Sequence, residues 1–177
     1  LLGRPSGRTF RDRIAGTQKG TPFAVHHAAV VTGSGKSRRD VFKGLILALT
    51  GRPVQGETVV VPDRGLFNLF SPGAGMARVR FEDDPAFEHQ FEVYSTRPDE
   101  ARALVNPVVR QALTAWRSNH PQLFVRLAAD QVTVAMADDG DPFDVGSMLK
   151  AIPGRERVRG LWDDLERALG QVDQVRS

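Results

Sequence analysis

The glycine-rich segment VVTGSGKS, residues 30–37, is the part of the sequence most suggestive of phosphate chemistry. A phosphate-binding loop reads G-x-x-x-x-G-K-[ST]: its backbone N–H groups cradle the phosphates, its lysine reaches the outer phosphates and its hydroxyl holds magnesium. Gly35, Lys36 and Ser37 match the end of that pattern, and Gly33 resembles its interior. One hypothesis is therefore an enzyme that binds a nucleotide or small molecule through this loop, with Asp63 as a magnesium ligand.

The same segment also fits a plain turn. The first glycine of the pattern is absent, and the β-branched Val30 in its place suits a tight turn poorly. The helix that should follow would begin with Arg38, Arg39 and Asp40 and would contain Gly44. We therefore predict a basic hairpin loop between two strands and keep the phosphate loop as the alternative.

The four histidines have no spacing typical of metal ligands. They are His26, His27, His89 and His120. Adjacent residues on a strand point to opposite faces, so His26 and His27 cannot bind one metal together. The other two lie far away in the sequence.

Two acidic clusters are candidate sites of a different kind. The stretch ADDGDPFD, residues 137–144, lacks the alternating ligands and the distal glutamate of a calcium loop. The carboxylates at 82, 83, 84 and 88 have no evident partner, and we interpret them as a polar connection between strands. We identify no catalytic residue, and we expect neither a metal nor a cofactor.

The composition is that of one globular domain. The chain has 177 residues, 41% of them hydrophobic and 25% charged, which suffices for a single core. It has no cysteine, which excludes disulfides, thiol catalysis and zinc–cysteine sites. No apolar run approaches the ~20 residues that span a bilayer. The chain also begins without a methionine, so we expect it to be part of a longer protein.

The net charge of +3 is unevenly distributed. Residues 1–39 hold eight basic side chains against one acid, Asp12, so this segment carries +7 and the remainder −4. We predict a basic, flexible N-terminal segment at residues 1–11 and a single domain at residues 12–177. Such a segment can face anionic lipid, or it can simply be solvated. Aromatic residues do not interleave with the basic ones, which argues against nucleic acid as a partner.

Short apolar segments separated by Gly, Pro and Asp predict strands along most of the chain. They are residues 14–19, 23–31, 41–50, 58–61, 78–81, 91–95, 123–128 and 131–135. Short turns between them favour antiparallel pairing. The predicted fold class is α+β, with a mostly antiparallel sheet of about six to eight strands and two or three packed helices.

Two segments have the rhythm of a helix with one buried face. In the first, residues 98–118, we expect Thr96 to cap the start and Pro107 to interrupt the helix, with Asn106 capping a second part. The second lies near the C-terminus. Its apolar stripe consists of Val158, Leu161, Trp162, Leu165, Ala168, Leu169 and Val172.

The stretch FEVYSTRPDEARALVNPVVRQAL, residues 91–113, resembles the hallmark segment of a bacterial family, domain of unknown function 3137. In that family an F-E-V-Y-S-T strand end precedes an acidic, Ala-Arg-rich turn and a helix that starts with proline. Other similar segments lie in order along the chain: GTQKGTPF (16–23), VFKGLILAL (41–49), GETVVVPD (56–63) and DPFDVGSMLKAI (141–152). Local departures are the pair His26-His27 and Arg97 in the acidic turn.

The resemblance implies a strand-rich α+β domain with the GSGKS segment in a variable hairpin loop. Members of the family commonly have predicted membrane helices upstream, and no catalytic residues are established for them. We therefore expect a non-enzymatic interaction or regulatory domain at the cytoplasmic face of a bacterial inner membrane. Its expected partner is an anionic membrane surface or another membrane protein, with the basic N-terminal segment toward the lipid.

Overall fold

The computed structural model describes residues 7–18, 21–51, 53–63, 75–118 and 121–137. Eight strands in these ranges form one sheet, and every neighbouring pair is antiparallel. They are β1 (Gly7–Gln18), β2 (Thr21–Thr32), β3 (Arg39–Thr50), β4 (Thr58–Pro62), β5 (Ala77–Val79), β6 (Phe91–Ser95), β7 (Leu123–Ala128) and β8 (Gln131–Ala137). Their order across the sheet is β1-β2-β3-β8-β7-β4-β6-β5.

Besides a short 3-10 helix at Gly35–Ser37, three α-helices accompany the sheet in the described part of the chain: α1 (Pro85–Glu88), α2 (Pro98–Leu104) and α3 (Pro107–Arg117). Each begins with proline, whose fixed φ suits the first helical position and whose missing N–H would have no partner there. The α+β class and the antiparallel sheet are confirmed. The helices are smaller than the packed helices that we predict, because α1 is a single turn of four residues.

The first three strands form a long ribbon of twelve residues each. The predicted strands at residues 14–19 and 23–31 correspond to β1 and β2, which pair antiparallel as expected, but β1 begins at Gly7, so residues 7–11 of the predicted flexible segment pair with β2. Arginines do not prevent this pairing, because backbone groups form the ladder and charged residues are well tolerated at a sheet edge. A register shift between Arg11 and Arg13 marks a bulge at Asp12.

Alternation along the strands divides the apolar side chains between two faces. The first face forms the main core with residues such as Leu47, Val60 and Val134, and Ala101, Val105 and Leu113 of the helical region pack on it. The second face has its own cluster of buried residues. Both faces of the sheet therefore carry buried apolar residues.

The break predicted at Pro107 is confirmed, and the side chain of Asn106 accepts a hydrogen bond from the Val109 N–H at 3.1 Å. Helix α1 lies in the segment predicted as a simple polar connection. Asp84 caps it by accepting from the Phe87 N–H, and Phe87 itself is buried. The predicted C-terminal helix and the acidic stretch after Ala137 lie outside the described residues.

Candidate functional site

The register of the three long strands brings two basic segments of the sequence to one end of the sheet. Residues 7–13 of β1 pair with residues 26–31 of β2, and residues 39–43 of β3 pair with residues 29–32. The turn at residues 33–38 closes this end. We call residues 7–13 and 33–43 the basic tip. Its basic residues are Arg8, Arg11, Arg13, Lys36, Arg38, Arg39 and Lys43.

The basic tip has a strong excess of positive charge. Its seven basic residues face two acidic ones, Asp12 and Asp40, so its net charge is +5 in a chain of net charge +3. The side chains of Lys36, Arg38 and Lys43 are exposed. Exposed charges of one sign attract a polyanionic surface over a distance of about one Debye length. The arrangement therefore suits an extended anionic partner.

The turn of the basic tip is held by its own backbone and serines. Gly33 and Gly35 have positive φ values of 80° and 55°. The Ser37 hydroxyl donates to the Ser34 carbonyl at 2.8 Å, and the Ser37 N–H donates to the same oxygen at 3.1 Å. A Cβ atom on Gly33 would collide with the Ser37 carbonyl oxygen, so this position needs glycine.

The structure places the residues of the phosphate-loop hypothesis, Gly33, Gly35, Lys36 and Ser37, together in this exposed turn. The chain leaves the turn as strand β3, whereas a phosphate loop delivers its backbone N–H groups at the start of a helix. Asp63 follows β4, which β8 and β7 separate from β3, so about 14 Å of sheet lies between the two strands. The structure thus confirms the hairpin loop and does not bring Asp63 to the lysine.

The adjacent histidines lie on opposite faces, as predicted. His27 pairs with Leu45 and is 6% exposed, and its Nε2 atom is buried without a hydrogen-bond partner. His26 pairs with Ile46, on the other face. Among the residues that the structure describes, no group of three or more His, Asp or Glu side chains is arranged to hold a metal ion.

Glu100 of the hallmark segment joins the start of α2 to the chain before β4. The carboxylate of Glu100, in the first turn of α2, accepts from the Gln55 N–H at 2.9 Å and from the Gly56 N–H at 2.8 Å. Gly56 fits closely there, since a Cβ atom would lie 2.9 Å from the Arg97 Cβ atom. The carboxylate thus holds the segment before β4 against the start of the helix.

The hydroxyl residues of the hallmark segment hold the same joint. The Ser95 Oγ atom lies 3.1 Å from the Thr58 Oγ1 atom and accepts from the Arg97 N–H at 3.0 Å. The Thr96 Oγ1 atom accepts from the Glu57 N–H at 2.9 Å. The prediction that Thr96 caps the helix is therefore wrong. Arg97 is the N-cap residue, and the Thr96 hydroxyl instead accepts the hydrogen bond from the Glu57 backbone N–H.

Replacing Glu100 with glutamine should lower the free energy of unfolding by about 1.5 kcal/mol, because hydrogen bonds to a charged acceptor are stronger than neutral ones. The amide also turns an NH₂ group toward one of the two backbone N–H donors. Urea denaturation measures the change. The control is Glu82→Gln, an exposed acid on the connection after β5, for which we expect less than about 0.5 kcal/mol. Equal losses in both variants would refute the structural role of Glu100.

The acidic cluster at residues 82–88 has a partner that sequence spacing did not reveal. Arg110 of α3 is 5% exposed and donates to Asp83 at 2.6 Å, to Asp84 at 3.0 Å and to the Val105 carbonyl at 3.3 Å. Its guanidinium carbon lies 4.9 Å from the centre of the Phe81 ring. Asp83 and Asp84 therefore hold α3 in place through Arg110, and this structural role accounts for the pair. We call the contact of Arg110 with the two aspartates the clasp.

Two further ionisable groups have shifted pKa values. Burial lowers the pKa of Arg117, against the opposing effect of Asp63, and the Arg117 guanidinium carbon lies 5.1 Å from the centre of the Phe91 ring. Burial raises the pKa of the Tyr94 phenol, as does its hydrogen bond to Glu92 at 3.0 Å. These shifts belong to groups packed at the edges of the core, and they do not form a pair of acid and base.

The fold and these contacts define a strand-rich α+β domain. The polar residues of its hallmark segment and of its acidic cluster hold backbone segments and helices in place. The chain belongs to the family described as Protein of unknown function (DUF3137), which matches residues 40–176. The resemblance found in the hallmark segment is thereby confirmed. In the described part of the chain, no helix is both long and apolar enough to cross a membrane.

No curated protein matches the chain. Among solved structures, the chain is similar to the crystal structure of the mycobacterial trehalose monomycolate transport factor A, TtfA. The identity is 13% and the TM-score is 0.47, over 99% of this chain and 75% of that one.

Proposed function

We propose that this chain is a non-enzymatic interaction domain of a membrane-associated bacterial protein and that the basic tip contacts the anionic cytoplasmic surface of the inner membrane. The observation that carries the proposal is the strand register, which adds the basic residues of β3 and its turn to those of β1. Sequence order alone separates these residues by more than twenty positions.

The physical basis is electrostatic. A basic residue close to an anionic bilayer contributes about 1 kcal/mol to binding, and the attraction falls off within a Debye length. A net charge of +5 on one end of the domain therefore supports reversible binding that orients the domain. Such binding needs no pocket and no ordered ligand.

The proposal is tested by cosedimentation of the chain with vesicles. We expect binding to vesicles that contain about a third anionic lipid at low salt, little binding to neutral vesicles, and release at about 0.5 M salt. A chain that stays in solution with anionic vesicles at low salt would contradict the proposal. Binding that ignores both lipid charge and salt would contradict it as well.

Neutralising two exposed residues of the turn should weaken vesicle binding specifically. For Lys36→Gln/Arg38→Gln we expect about thirtyfold weaker partitioning onto anionic vesicles, since two contributions of about 1 kcal/mol are lost. The matched control is Arg80→Gln/Arg102→Gln, which removes the same charge from side chains that are 61% and 54% exposed outside the basic tip. Equal weakening in both variants would show that only total charge matters.

The alternative function, a nucleotide-binding or small-molecule-binding enzyme that uses the GSGKS loop, makes a different prediction. Calorimetry with ATP and magnesium would detect saturable binding, and Lys36→Ala would abolish it because that lysine reaches the outer phosphates. The membrane proposal predicts no saturable ATP binding at physiological salt. Saturable binding that depends on Lys36 would favour the alternative.

A further inference from the structure

Ser37 lies in the most exposed segment of the basic tip. Residues 33–38 are all exposed, which is the longest such run in the part of the chain that the structure describes. Lys36 directly precedes the serine and Arg38 directly follows it, both with exposed side chains. A hydroxyl between two cations at the end of a ribbon is accessible to an enzyme with an acidic cleft, because opposite charges guide such encounters.

The Ser37 hydroxyl is held by hydrogen bonds that stay within the turn. It donates to the Ser34 carbonyl at 2.8 Å and accepts from the Ser34 N–H at 3.4 Å, and both bonds are exposed to solvent. Neither bond belongs to the ladder of β2 and β3, which ends at the pair of Thr32 and Arg39. Exposed local bonds open at a small fraction of the free energy that unfolding of a sheet requires. The segment can therefore leave its turn and enter a cleft while the strands stay paired.

A phosphate on Ser37 would change the charge of the tip. A phosphoserine carries a charge of about −2 at pH 7, so the net charge of the basic tip would fall from +5 to about +3. The ester has no hydrogen to donate to the Ser34 carbonyl, so the turn would also lose its shortest hydrogen bond. Both effects act on the residues that the membrane contact uses.

We propose that Ser37 is a phosphorylation site for a protein serine kinase with an acidic substrate cleft, and that the phosphate releases the basic tip from the membrane. The Ser37 Oγ atom forms a bond with the γ-phosphorus of ATP, and the bond from that phosphorus to the oxygen that bridges it to the β-phosphate breaks. ADP leaves, and the hydroxyl proton passes to the carboxylate base of the kinase. The release rests on the membrane contact proposed above, whereas the modification does not.

The modification is tested by mass spectrometry of the full-length protein, isolated with phosphatase inhibitors from the cells that make it. We expect phosphate on Ser37 and none on Ser118, an exposed serine at the end of α3 whose hydroxyl also donates to a backbone carbonyl. An unmodified Ser37 would overturn the proposal. Equal occupancy at the two serines would overturn it as well, because exposure alone would then decide which serine is modified.

The role of the flanking charge is tested in the same cells with two double variants. Lys36→Gln/Arg38→Gln should lower the phosphate occupancy of Ser37 at least about fivefold, because the kinase recognises the charge pattern of its substrate. The matched control Arg80→Gln/Arg102→Gln should leave the occupancy unchanged. Equal occupancy in the two double variants would contradict recognition by an acidic cleft.

The release is tested with phosphoserine incorporated at one position during synthesis of the chain, followed by cosedimentation with vesicles of about a third anionic lipid at low salt. Phosphoserine at 37 should weaken partitioning about thirtyfold, since it offsets two basic residues of the tip. Phosphoserine at 118 adds the same charge outside the tip, and we expect less than about threefold. Equal weakening, or none at 37, would overturn the release. If the unmodified chain does not bind, the membrane contact itself fails and the release fails with it, while mass spectrometry still decides the modification.

Discussion

Replacing Phe87 with alanine is expected to lower the free energy of unfolding by about 4 kcal/mol, within the usual range for a buried aromatic residue. Phe87 is 1% exposed, and its ring centre lies 5.6 Å from that of Phe81 and 5.2 Å from that of Phe91. The two contacts are edge-to-face and stacked, and such pairs add to the effect of burial alone. Helix α1 has four residues and no other buried side chain, so its attachment to the core depends on this ring.

Urea denaturation with a constant m-value measures the loss. The conservative control is Phe87→Leu, which keeps most of the volume and should cost about 1.5 kcal/mol or less. A loss below about 1 kcal/mol for the alanine variant would mean that α1 does not anchor the connection between β5 and β6.

The second large effect is expected for Arg110→Ala, with a loss of about 3 kcal/mol. The change removes three hydrogen bonds and the contact with Phe81, and it leaves a cavity under the clasp. The aspartates limit the loss: the side chain of Asp83 is 67% exposed and that of Asp84 is 31% exposed, so water can solvate both when the arginine is absent.

The matched control is Arg102→Ala, the same change at a side chain that is 54% exposed and paired with Asp99 at 3.1 Å. An exposed pair three residues apart on a helix contributes little, and we expect less than about 0.5 kcal/mol. Equal denaturation midpoints for the two variants would refute the clasp.

Local sequence patterns predicted much of this fold because they depend on nearby residues. The break at Pro107 with its Asn106 cap and the short turn between the predicted strands at 123–128 and 131–135 are determined by backbone chemistry within a few positions. Apolar periodicity located the strands for the same reason, although it placed the start of β1 seven residues too late.

Contacts between distant residues were not predicted from the sequence. The aspartate partners of Arg110 precede it by 26 and 27 residues. The Thr96 hydroxyl accepts a hydrogen bond from a backbone N–H that lies 39 residues earlier. No periodicity reports such pairings, since they depend on how β4, β6 and α3 come together.

The basic tip lies between these two cases. The excess charge of residues 1–39 is visible in the sequence, and it led to the expectation of a membrane contact. Lys36, Arg38 and Lys43 come to the same end of the sheet as the arginines of β1 only through the register of the three strands. Strand register is set by the whole hydrophobic pattern and the turn, so the composition of the surface follows only from the fold.

The most direct test of the membrane contact is the emission of an environment-sensitive fluorophore attached at the tip. The chain has no cysteine, so Ser34→Cys labels the exposed turn and Ala103→Cys labels the exposed side of α2. With anionic vesicles at low salt, the account predicts a blue shift for the label at 34, reversed at high salt, and none for the label at 103. A shift at 103 without one at 34, or no shift at either position, would contradict it.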